Sequence, residues 1–145
     1  MNLCAGLEYR LVCSIERLYI FIKIGTGIGS GIISNGKMHR GSDGCAGDIG
    51  HICVDKEGPL CACGQRGCWE AYVSVGAIIA RYLGTTPSWP PPLQNETTMR
   101  DIVQRALNGE SRARDVLIET GTYLGRGLAT IVKAVEPGRI YMSGE

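Results

Sequence analysis

His51, Cys61, Cys63 and Cys68 fall within one stretch, His51 to Glu70, which reads HICVDKEGPLCACGQRGCWE. The gaps between them are nine, one and four residues. Three thiols and an imidazole make a donor set suited to tetrahedral Zn²⁺, which takes bonds of about 2.3 Å to sulfur and about 2.0 Å to nitrogen. A Cys-x-Cys pair can bite one ion from adjacent turns, and Gly58, Gly64 and Gly67 let the chain fold back so that Cys68 rejoins it. With all four positions supplied by protein, such an ion is structural rather than an activator of water. The remaining cysteines, Cys4, Cys13, Cys45 and Cys53, show no such clustering and are expected to be small buried apolar residues. Asp48 and Glu70 flank the loop. Carboxylates beside an imidazole can accept pairs of hydroxyl hydrogen bonds, so Asp48, His51 and Glu70 are candidates for holding a sugar.

A second chemical candidate is Gly25-Thr-Gly-Ile-Gly-Ser-Gly31, whose backbone N–H groups and Thr26 hydroxyl could face a phosphate. It is not a dinucleotide fingerprint, because the third glycine is misplaced and a strand follows where a helix is required. Gly31-x4-Gly36-Lys37 approaches a P-loop, but Met38 stands where Ser or Thr is needed and no helix follows. By pattern alone a plain glycine hairpin and a phosphate loop remain equal.

These residues must be positioned by elements legible from hydrophobic period. Leu18 to Ile24 is β-branched and aromatic and reads as a buried strand. Gly29 to Ser34 reads as a second strand after a hairpin-length link, and Asn35-Gly36 as a tight turn into a short segment at Lys37–Arg40. Residues 41–50 form a glycine-rich loop, followed by a short extended piece at His51–Val54. Helical period begins at Glu70 and ends near Leu83-Gly84. Thr85 to Asn95, with Pro90 to Pro92, is a loop. Thr98-Met-Arg-Asp101 is a capping box opening a helix that stops at Gly109. Arg112 to Val135 suits one long helix, in which Gly121, Gly125 and Gly127 are expected to be close-packing positions. Arg139 to Met142 starts a last strand, and a short helix is expected within residues 1–17. The order predicts an α/β layer with mixed strand directions.

Composition bounds the partners. The 145 residues predict one domain, with formal net charge +1 and no basic field for nucleic acid or an anionic membrane. The longest apolar run, Leu18 to Ile22, cannot span a bilayer. Seven cysteines and no secretory leader favour a cytoplasmic, metal-using protein over a disulfide scaffold. Glycine, at 21 of 145, is about twice its usual share, and the excess is concentrated around the two chemical candidates.

Taken together, Gly25-Thr-Gly-Ile-Gly-Ser-Gly-Ile32, Gly41…Ala46-Gly-Asp-Ile-Gly-His51 and Cys61-x-Cys-Gly-x-x-Gly-Cys-x-Glu70…Ser74 resemble the signature of the ROK family of repressors, open reading frames and sugar kinases. The resemblance implies an actin-like, ribonuclease-H-type ATPase domain, the C-terminal half of such a protein, carrying an inserted zinc loop. It implies zinc on His51, Cys61, Cys63 and Cys68, and a sugar held by Asp48, His51 and Glu70. Asp48 is one methylene shorter than the family's usual Glu. ATP phosphates would face Gly25, Thr26 and Gly27, with Gly144 near the nucleotide and Mg²⁺ accompanying it.

The family's Asp-x-Gly-Gly-Thr loop is absent from the sequence. Its Asn-Asp-x-Asn element, whose Asp takes the proton from the sugar hydroxyl, is expected just before Met1, with Asn2 as that motif's last residue. The resemblance therefore implies an N-terminal domain beyond this sequence, a homo-oligomer, and a chain inactive alone. Two functions follow from it: a glucokinase-like enzyme phosphorylating a hexose or N-acetylhexosamine, or the effector-binding domain of a sugar-responsive transcriptional repressor.

Overall fold

The computed structural model describes residues 18–86 and 97–144. Strand β1 (Leu18–Ile24) is the second-innermost strand of a four-stranded sheet and is buried on both faces. Ile20 and Ile22 point to one side, Tyr19 and Phe21 to the other, as a period of two requires. β2 (Ile28–Ser34) pairs with it antiparallel, setting Ile20 opposite Ile32 and Tyr19 opposite Ile33. Asn35 and Gly36 both take positive φ, 48° and 74°, and turn the chain into β3 (Lys37–His39). β4 (Arg139–Gly144) returns parallel to β1, giving the order β3-β2-β1-β4. A parallel neighbour needs a long crossover, and here the crossover contains the His/Cys loop and every described α-helix.

The helices are α1 (Glu70–Val73), α2 (Val75–Leu83), α3 (Met99–Leu107) and α4 (Ser111–Val135). The single helix expected from Glu70 to Leu83 is broken at Ser74, which has ψ of 152°. The Ser74 hydroxyl accepts the Ala77 N–H at 3.2 Å, so it caps the second helix in place of continuing the first. Gly84, at φ 70°, closes α2 in the left-handed conformation. The expected capping box is present: the Thr98 hydroxyl accepts the Asp101 N–H, and the Asp101 carboxylate accepts the Thr98 N–H at 2.8 Å. The extended piece expected at His51–Val54 starts later than expected: His51 ends a 3-10 turn, Ile49–His51, and the extended pairing is a single bridge from Cys53 to Cys68.

The core below the sheet gathers Ile20, Ile22, Ile28, Trp69, Val73 and Ile131. Trp69 is fully buried, and its Nε1–H donates to the Tyr123 carbonyl of α4 at 2.9 Å. A methyl group at Gly127 would overlap the Trp69 ring, so that glycine is a close-packing position, as expected. Gly121 and Gly125 are not. Both are exposed, with nothing within 4 Å of an added Cβ, because they lie on the helix face turned away from Trp69. Cys45 and Cys53, expected to be buried, are exposed as well, since both lie on irregular segments outside the core. A second apolar cluster of Ile78, Ile102, Ala106, Ala113 and Val116 joins α2, α3 and α4. The helix expected within residues 1–17, Cys4, Cys13 and most of the proline loop lie outside the described residues. Among the described residues, no helix is long and apolar enough to cross a membrane.

Candidate metal and ligand site

The loop's root is a two-sided ladder. Val54 N–H donates to the Gly67 carbonyl at 2.8 Å, and Trp69 N–H to the Ile52 carbonyl at 2.9 Å. Further out, Gly67 N–H reaches the Pro59 carbonyl and Cys61 N–H the Gln65 carbonyl, at 2.9 and 2.7 Å. Gly64 and Gly67 take φ of 87° and 70°, which only glycine adopts without cost. At Gly67 a side chain is excluded twice over, because a Cβ there would overlap the Asp55 carbonyl.

This folding brings His51, Cys61, Cys63 and Cys68 together, their donor atoms all within 4.8 Å of one another. Cys61 Sγ lies 3.5 Å from His51 Nδ1, and Cys63 Sγ 3.6 Å from Cys68 Sγ. A tetrahedral ion with the usual bond lengths needs donor–donor edges of about 3.6 to 3.8 Å. Two of the six edges are close to those values and the whole set lies within 4.8 Å, so the residues could hold such an ion. Cys61 and Cys68 are buried and Cys63 is exposed. Burial pushes the Cys61 thiol up and the Cys68 thiol up to about 12, while the Gln65 backbone N–H holds Cys63 below the usual thiol range.

Glu70 stands at the start of α1, two residues after the last thiol. Its Oε2 accepts the Ile28 N–H at 2.7 Å, and Val75 N–H donates to the Gly25 carbonyl at 2.8 Å. The break between α1 and α2 is thus fastened to the tip of the β1–β2 hairpin. A Cβ at Gly27 would stand 2.7 Å from Glu70 Oε2, so a side chain there would displace the Glu70 carboxylate. Within the hairpin, Gly25 N–H donates to the Gly27 carbonyl at 2.9 Å. Two of the amides that a phosphate loop could have offered, those of Gly25 and Ile28, are therefore already bonded. Thr26 remains exposed. Gly144 is paired with Ile24 in the β4 register, which sets it beside Gly25.

A cavity of about 640 Å³ opens along this junction, lined by Thr26, Cys61, Arg66, Glu70, Ser74 and their neighbours. Asp48 is not among its lining residues. It is exposed and lines a separate pocket of about 260 Å³ with Gly29, Ser30, Cys45 and Gly47. Ile28 links the two, lining the smaller pocket while its N–H is held by Glu70. Of the three sugar candidates, Glu70 therefore lines the large cavity, His51 belongs to the His/Cys cluster and is not among the cavity's lining residues, and Asp48 lines the neighbouring depression. The pattern missed Arg66 and Ser74 as cavity residues; the Ser74 cap in the middle of an apolar run was the available signal. It also missed Asp55, whose carboxylate accepts hydroxyl hydrogen bonds from Tyr123 and Tyr72 at 3.0 and 3.3 Å.

The fold is that of the actin-like ATPases: the solved structures it resembles include sugar kinases and a ROK family transcriptional regulator. A glucokinase from Streptomyces griseus, solved with glucose and AMPPNP, superposes with a TM-score of 0.75 at 32% identity, over 97% of this chain and 48% of that one. The ROK family profile matches residues 14–145, and the chain belongs to the ROK family. The Bacillus subtilis xylose repressor is 35% identical over 123 residues, covering 85% of this chain and 30% of the repressor. The N-acetylmannosamine kinase of Vibrio cholerae is 59% identical over 58 residues, covering 40% of this chain and 20% of the kinase. The chain spans less than half the length of each of these proteins.

Proposed function

We propose that this domain supplies the sugar-binding wall and part of the phosphate site of a ROK sugar kinase. One observation carries the reading: the Glu70 carboxylate holds the glycine hairpin through Ile28 N–H while lining the large cavity with Thr26. A sugar hydroxyl at Glu70 and a phosphate at Thr26 would then meet on one hydrogen-bonded unit. The 59% identity to an N-acetylmannosamine kinase supports a hexose or N-acetylhexosamine as the sugar. Phosphoryl transfer from ATP, with Mg²⁺, is proposed for the longer protein in which such a domain works, because that reaction depends on positioning and charge stabilisation. Asp48 would contribute a second, more distant carboxylate from the smaller pocket. Zinc on His51, Cys61, Cys63 and Cys68 would fix the loop from which Glu70 projects. The same reading places the protein in the cytoplasm, beside an N-terminal domain and in a homo-oligomer.

Titration calorimetry of the zinc-loaded chain with glucose and N-acetylmannosamine, with and without AMPPNP, tests this. We expect sugar binding that is lost in Glu70→Gln, and about one zinc per chain that is lost in Cys63→Ser. Absence of sugar binding by the loaded protein would sink the ligand reading, and metal-free protein of unchanged stability the metal reading.

A second reading is favoured by the match to the xylose repressor over 85% of the chain. There the domain is an effector module, and sugar shifts a conformational equilibrium. AMPPNP binding at the hairpin favours the kinase; sugar binding without nucleotide binding favours the repressor.

A further inference from the structure

The outer arm of the loop, which carries Cys61 and Cys63, is held to itself by its own hydrogen bonds. Cys61 N–H meets Gln65, Gly67 N–H meets Pro59, and Arg66 Nη1–H donates to the Gly58 carbonyl at 3.3 Å. What carries that arm to the helices is the side chain of Asp55 at its base. Asp55 Oδ2 accepts from the Tyr123 hydroxyl of α4 and the Tyr72 hydroxyl of α1, and Oδ1 accepts the Glu57 N–H at 3.2 Å. The two phenol rings stack with centroids 3.6 Å apart, and the Arg126 guanidinium lies 4.9 Å over the Tyr123 ring. From behind, Arg81 Nη2–H donates to the Tyr72 carbonyl at 2.7 Å. Gly58 is side-chain-free where the Tyr72 hydroxyl descends.

Cys68 is fixed separately. Both of its neighbours are tied down, Gly67 to Val54 and Trp69 to Ile52 and Tyr123. The four donors therefore divide into a pair at the root, His51 on its 3-10 turn and Cys68 in the core, and a pair on the outer arm, Cys61 and Cys63, which backbone bonding joins to the root only through Gly67 and Pro59 and the short Asp55–Gly58 turn.

We propose that Asp55 is a positioning residue for the metal ion: clamped by the Tyr72 and Tyr123 hydroxyls, it keeps the Cys61–Cys63 arm closed on Cys68 and sets how slowly the ion leaves. The inference rests on reading the His/Cys cluster as a zinc site. Partners bonded directly to metal ligands typically govern metal affinity by about 10- to 100-fold, and Asp55, which acts through the backbone that carries the ligands, is expected at the lower end of that range.

The test loads the full chain with zinc and follows its release to a chromogenic chelator by stopped flow. Asp55→Asn removes the charge, and the double variant Tyr72→Phe/Tyr123→Phe removes only the two hydroxyls, so a folding defect in the first does not end the experiment. Val116→Ala, in the apolar cluster of α2, α3 and α4, is the control for general destabilisation. We expect release about tenfold faster in the clamp variants, with helical circular dichroism retained, and the wild-type rate in the control. Wild-type rates in both clamp variants would overturn the proposal, as would equal acceleration in Val116→Ala. Failure of the metal reading is seen separately, in wild-type protein that takes up no zinc.

Discussion

The His/Cys loop between Ile52 and Trp69 and the helical hairpin of α3 and α4 both have to satisfy their backbone groups, and they use opposite resources. The hairpin does so locally: helical bonds throughout, a capping box at Thr98, and an αL cap at Glu136 whose N–H reaches the Val132 carbonyl. Its apolar side chains meet in the cluster shared with α2 and, through Ile131 further along α4, in the core below the sheet, so propensity and packing agree. The loop has almost no regular structure. It depends on a short ladder at its root, on glycines where no side chain fits, and on four donors gathered around one point. The contrast is between a part ordered by its own helical bonds and apolar contacts and a part ordered by a few backbone bonds, glycine turns and whatever the four gathered donors hold. Chelation should separate them.

Substitutions can break that contrast or sharpen it. The largest effect is expected at Gly67→Ala, where positive φ and overlap with the Asp55 carbonyl act together. We expect loss of zinc binding and of loop amide protection in hydrogen exchange, with α3 and α4 amides still protected; simultaneous loss in both regions would show that they are not separable. Next is the pair of α4 glycines. Gly127→Ala forces the helix off Trp69 and should cost roughly 3 kcal/mol in chemical denaturation. Gly121→Ala, in open space, should stabilise by roughly 0.5–1 kcal/mol. Equal effects would refute the packing assigned to Trp69.

The smallest is Thr98→Ala, expected to cost about 1 kcal/mol with zinc affinity unchanged. Hydrogen bonding from Thr98 holds the Asp101 carboxyl below the usual carboxylate range. Its contribution is therefore present above the unfolded value, about 3.9, and is lost as pH falls through the lowered folded value. The gap between the thermal melts of wild type and variant should accordingly begin to narrow as pH falls below about 4; a constant gap would detach the cap from the charge.

Much of the fold was legible because its signals are local. β1 announces itself by seven residues of apolar and β-branched character, the Asn35–Gly36 turn by residues that accept positive φ, and α3 by its capping box. The donor set was legible because four ligands within eighteen positions leave few alternatives. What was not legible depends on which face meets what. Gly121, Gly125 and Gly127 look alike in sequence, yet only Gly127 lies under Trp69. The Asp55 carboxylate finds Tyr123 sixty-eight residues away, and no spacing rule reaches that far. Glu70 was chosen as a sugar ligand, and its bond to Ile28 N–H follows only once the hairpin folds over α1.

The Trp69 ring has one further consequence, and it is optical. An indole sealed from water, with its N–H bonded to a carbonyl, emits toward the blue, and this one sits next in sequence to the Cys68 sulfur and beneath α4. Any loosening at the root of the loop that admits water to that ring should shift its emission to the red. The molecule thus carries an emission reporter at the seam between its helices and its His/Cys loop.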